Sequence, residues 1–74
     1  MTATKRRAWT VSGPDVDKGY VDGGGVALSG AITFASRATG EVTYYVRTPE
    51  GDPFGRVERD ADGVIAIYRK EGAR

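Results

Sequence analysis

The sequence predicts an α+β domain in which one helix packs on one face of a three- to five-stranded antiparallel sheet. Three observations lead there. Two strong turn signals divide residues 40–70 into three strands. The registers those turns impose gather the apolar side chains of all three strands on one face. The segment before them, residues 26–38, carries an amphipathic pattern that suits a cover for that face. A small all-β barrel is the competing architecture.

The 74 residues suit one domain, with residues 1–4 and 71–74 frayed. A chain this short buries about 60% of its unfolded surface, so its core is small. Lys5 to Val11 reads as a first strand, with Trp9 and Val11 on one face. Ser12-Gly13-Pro14-Asp15 is a turn, because proline fixes φ and aspartate can bond the backbone ahead of it. Val16 to Asp22 has room for a short second strand, and Gly23-Gly24-Gly25 then interrupts the chain.

Residues 26–38 fit two periodicities. As a strand, Val26, Leu28, Ile32 and Phe34 share one face. As a helix, Ala27, Leu28, Ala31, Ile32, Phe34, Ala35 and Ala38 form one arc, with Ser29, Gly30, Thr33, Ser36 and Arg37 opposite. Alanine content, Arg37 near the end and Gly40 just beyond it favour the helix. The apolar sheet also needs a cover, which the helix supplies.

Asp60-Ala61-Asp62-Gly63 suits a type I turn closed by a left-handed glycine. It sets Asp60 opposite Val64, Val57 opposite Ile67 and Arg56 opposite Tyr68. Pro49-Glu50-Gly51-Asp52 is a second turn. Closing Thr48 against Pro53 sets Tyr44 opposite Val57 and Val42 opposite Arg59. Val42, Tyr44, Val46, Val57, Ile65 and Ile67 then share one face, and a slip of one residue would scatter them.

The same register aligns Tyr45, Arg56 and Tyr68 on the opposite face. Arg47, Phe54 and Lys70 form a neighbouring row, and Thr43, Glu58 and Ala66 a third. Tyrosine and arginine offer large rigid area with polar reach, the chemistry enriched where proteins dock. Tyr45, Arg47, Phe54, Arg56 and Tyr68 are therefore the candidate partner-binding residues. The bland alternative for the central three is a cross-strand cation–π stack of structural value alone.

A protein partner is the favoured reading, and DNA or RNA is the alternative. Exposed sheets enter grooves and tyrosines stack on bases, with Lys5, Arg6 and Arg7 as a phosphate-binding arm. Against nucleic acid stand a net charge of only +1 and the carboxylates Glu50, Asp52, Glu58, Asp60 and Asp62 around the sheet. The small, nearly uncharged helix arc of Ser29, Gly30, Thr33 and Ser36 permits close backbone approach, which makes it a candidate homodimer or partner surface.

The chain has no histidine and no cysteine. That removes imidazole acid–base catalysis, thiolate nucleophiles and Cys/His zinc sites. The glycine run lacks the Gly-Lys-Ser/Thr ending of a phosphate loop. Asp15/Asp17 and Asp60/Asp62 do not extend to a calcium loop, and a short exposed turn does little to split the pKa values of paired carboxylates. No metal site, cofactor or catalytic set is expected, and the chain reads as non-enzymatic. The basic N-terminal stretch has no apolar run behind it and so does not read as a secretory signal. No segment is apolar enough to span a bilayer. With no cysteine, a soluble cytoplasmic protein is the expectation. Size, composition and the lack of catalytic groups suit a small regulatory or inhibitory protein of the kind phages and mobile elements encode.

Overall fold

A computed structural model describes residues 8–69. The positions expected to fray, 1–4 and 71–74, lie outside the described residues, as do Lys5, Arg6, Arg7 and Lys70. The described chain runs β1 (Trp9–Ser12), β2 (Asp17–Tyr20), α1 (Gly24–Arg37), β3 (Val42–Arg47), β4 (Pro53–Arg59) and β5 (Ile65–Arg69). The strands form one open sheet in the order β2-β1-β3-β4-β5, each antiparallel to its neighbours. One helix lies against it, so the architecture is α+β and not a barrel.

Residues 26–38 are resolved as helix through Arg37, and the helical arc is the one that packs. Ala27, Ala31 and Ala35 are fully buried, while Leu28, Ile32 and Phe34 are half-buried against the same core. Alanines at i, i+4 and i+8 form a low ridge, which lets the helix axis settle close to Val11, Val46 and Val57 of the sheet. Ser29, Thr33, Ser36 and Arg37 face solvent. The N–H of Ala38 closes the helix by donating to the carbonyls of Phe34 and Ala35.

The β4–β5 register is as the turn chemistry implies. Arg56 pairs with Tyr68 and Val57 with Ile67. Asp60 N–H donates to Val64 O at 3.0 Å, and Gly63 takes φ 90°. The β3–β4 hairpin differs at its tip. Thr48 closes against Asp52, not Pro53, with its N–H donating to Asp52 O at 2.8 Å. The reason is Gly51, whose φ of 94° makes the loop one residue shorter. A β-bulge then absorbs the difference: Arg47 pairs with Pro53 and Val46 with Gly55, so Phe54 has no partner of its own. Inward of the bulge the register is the expected one, with Tyr44 opposite Val57 and Val42 opposite Arg59.

The apolar face is covered unevenly. Val46 and Val57 are fully buried, but Ile67 keeps 48% of its surface exposed. β5 is an outer strand, and the helix lies mainly over β1, β3 and β4. Among the described residues no helix is long and apolar enough to cross a membrane.

Candidate functional site

The face turned away from α1 is built by register. Asp17, Ser12, Tyr45, Arg56 and Tyr68 are successive cross-strand partners, a row that spans every strand. Gly19, Thr10 and Arg47 form the row beside it, and Thr43, Glu58 and Ala66 another. Tyr45 and Tyr68 are 48% and 44% exposed, so both rings offer area to a partner.

Arg56 is the hub. Its guanidinium carbon lies 4.2 Å from the centroid of the Tyr68 ring, a cation–π stack. Its Nε donates to Glu58 Oε2 at 2.7 Å. The stack therefore involves one tyrosine of the row, and Glu58, two residues along the same strand, also holds the guanidinium. That hydrogen bond is the largest influence raising the Arg56 pKa above its ordinary value. Desolvation opposes it, and the charge of Glu58 and the two tyrosines add to it. Arg56 is cationic at any working pH.

Beside this hub lies an open groove of about 630 Å³. Tyr45, Arg47, Arg56 and Tyr68 line it together with Gly51, Pro53, Gly55 and Arg69, and no carboxylate among the described residues does. Gly55 is required there: a Cβ on it would stand 2.7 Å from the Tyr68 carbonyl oxygen. A second groove of about 510 Å³ lies between Gly13, Pro14, Glu41 and Thr43. Tyr45 lines both.

Four of the five residues expected to form the patch, Tyr45, Arg47, Arg56 and Tyr68, are brought together. Phe54 is not. The bulge turns its ring to the helix side, where it meets Trp9 edge-on with centroids 4.9 Å apart. The expected arm, Lys5, Arg6 and Arg7, lies outside the described residues. Arg69 lines the groove without having been singled out in the sequence. The register carried no signal for it, since the alternation that sets Tyr68 on this face assigns Arg69 to the other, opposite Gly55.

No cluster of three or more His, Cys, Asp or Glu side chains that would hold a metal ion occurs among the described residues. Comparison with protein-family models, with curated proteins and with solved structures finds no match to this chain.

Proposed function

We propose that this protein is a small non-enzymatic binding module that recognises a protein partner through the open face of its sheet. One observation carries the reading: two half-exposed tyrosines and three arginines line a groove with no carboxylate among the described residues that form it. Rigid aromatic area beside arginine is the composition of interface hot spots. The partner chemistry this favours is an extended acidic segment, its carboxylates toward Arg47 and Arg56 and its apolar side chains between the tyrosines. A regulatory or inhibitory role follows from a chain with a docking surface and neither histidine nor cysteine for catalysis.

The same basic lining supports a second reading, single-stranded nucleic acid with bases stacked on the tyrosines. Salt separates the two. Phosphate binding weakens steeply as salt rises, in proportion to the phosphates contacted, whereas a tyrosine-anchored protein contact is much less sensitive.

The experiment is an NMR titration of labelled protein with an acidic, aromatic-containing peptide and, separately, with short DNA and RNA. A peptide response at Tyr45, Arg47, Arg56 and Tyr68 that persists at moderate salt supports the protein reading. A response to oligonucleotide alone, lost at higher salt, replaces it with the nucleic-acid reading. A folded Tyr45→Ala/Tyr68→Ala variant that keeps all binding sinks both.

A further inference from the structure

β5 is an outer strand, and no described residue pairs with its far edge. The Asp60 N–H to Val64 O bond fixes which backbone groups face which way. Hydrogen-bonded pairs alternate along an antiparallel ladder. Glu58/Ala66 and Arg56/Tyr68 are therefore hydrogen-bonded pairs, and the backbone groups of Ile65, Ile67 and Arg69 point away from β4. Edge strands are commonly blunted by lysine, proline, a bulge or an inward charge. The other edge, β2, reads Asp-Lys-Gly-Tyr and is short. The run Ile65-Ala66-Ile67-Tyr68 has no such device.

The side chains point to the same edge. Ile67, on the helix side, is 48% exposed, and Val64 at the strand's start is 62% exposed. Leu28 and Ile32 are half-buried on the helix flank opposite Gly30. Gly30 lies against Tyr20 of β2, so the Leu28/Ile32 flank is turned toward the β5 side. An apolar strip thus runs out to the sheet edge.

Charge selects the occupant. The strand is preceded by exposed Asp62 and ends in exposed Arg69. Among the described residues the nearest other cation is Arg59, whose Nε donates to the Gly40 carbonyl and whose other guanidinium nitrogens lie against Gly63. A second copy laid parallel would set Arg69 beside Arg69. Laid antiparallel, it brings each Arg69 to the other's Asp62.

We propose that the chain forms a two-fold dimer by antiparallel pairing of β5 with β5 of a second copy. Ala66 lies on the two-fold axis, Ile67 lies opposite the second copy's Ile65, and Arg69 lies opposite its Gly63, next to Asp62. This register pairs the outward backbone groups of both strands. The two sheets become one, both helices cover the same side, and the two open faces join into a continuous surface.

Sedimentation equilibrium of the full chain tests this first. The expected mass is twice 7.9 kDa, falling to the monomer on dilution. The chain has no cysteine, so Ala66→Cys introduces a lone thiol. Non-hydrogen-bonded antiparallel partners have Cα atoms about 4.5 Å apart, within disulfide reach. Ala66→Cys should therefore cross-link under mild oxidation, and Ser36→Cys on the exposed helix face should not. Asp62→Arg should weaken dimerisation about tenfold by setting like charges together, and adding Arg69→Asp should restore it. A monomer at every concentration, preferential cross-linking at Ser36, or a charge swap without rescue overturns the proposal.

Discussion

Phe54 stands edge-on against Trp9, with centroids 4.9 Å apart and ring planes at 76°. The pair closes the core over the start of α1, where Gly24 comes so near that a Cβ would be 2.8 Å from both rings. Phe54 is half-buried, so Phe54→Ala removes part of a full phenylalanine burial and should cost about 2 kcal/mol. In a domain of this size that lowers Tm by roughly 10 °C. Trp9 is the chain's one tryptophan. Its emission should shift to the red in folded Phe54→Ala, because the ring loses its apolar neighbour. An unchanged Tm and emission spectrum would mean the two rings do not share a core.

Gly30 and Tyr20 make a second close contact. A Cβ at Gly30 would lie within clash distance of the Tyr20 hydroxyl, so the phenol ring covers the helix backbone there. Two effects oppose each other in Gly30→Ala. Alanine is favoured over glycine within a helix by about 0.8–1 kcal/mol. Displacing the ring costs about 1–3 kcal/mol. Gly30→Ala should therefore be neutral to destabilising in the native chain and stabilising in a Tyr20→Ala background. Urea denaturation of the four proteins of this cycle measures the coupling. Stabilisation by Gly30→Ala in both backgrounds would show that the ring does not rest on the helix.

These two contacts show where sequence reasoning succeeded and where it stopped. The central registers of β3, β4 and β5 were legible because period-two alternation and turn glycines constrain each other: one slip would expose Tyr44 and Val57 together. The packing arc of α1 was legible from alanine and leucine spacing. Phe54 was misplaced because a bulge leaves no trace in alternation; Phe54 follows proline and precedes glycine, where the pattern is already broken. Gly30 was assigned to the solvent arc because a helical wheel does not reveal that a tyrosine from a strand ten residues earlier reaches over the helix flank. The Tyr45–Arg56–Tyr68 row was visible from register alone. The groove beside it needed the bulge and Gly55, and so needed the structure.

The Asp60–Val64 turn should be the most mutation-sensitive exposed segment. Asp60 Oδ1 accepts from the N–H groups of Asp62 and Val64, each at 2.9 Å. Asp60→Ala removes both bonds and should cost about 1 kcal/mol. Gly63 has a φ of 90°, which a Cβ strains, so Gly63→Ala should cost about 1–2 kcal/mol. Hydrogen exchange provides the local check. Amide protection at Ala66 and Tyr68, which face β4, should fall more than protection at Val46. Equal loss at all three would mean the hairpin opens only with the whole domain.

Arg56 supplies the last prediction, on pH. Its pKa is raised in the folded chain, first by the hydrogen bond to Glu58. A cation whose folded pKa lies above its unfolded value adds stability that is present below the unfolded value. That stability is lost only as pH rises through the folded one. An arginine ordinarily loses its proton far above neutrality and this one later still, so the loss begins beyond the range in which the protein would be handled. The chain also lacks histidine and cysteine, the side chains whose charge changes nearest neutrality. Tm should therefore stay nearly flat between about pH 6 and 8.5. Glu58→Gln should not introduce a slope in that window, because the ion pair is exposed and its contribution small. It would instead weaken the guanidinium's anchor by removing the charge behind the hydrogen bond. The effect should appear as altered Arg56 side-chain NMR shifts and weaker binding of an acidic peptide, with Tm almost unchanged. A large fall in Tm with no change in peptide binding would reassign the Arg56–Glu58 pair from docking to structure.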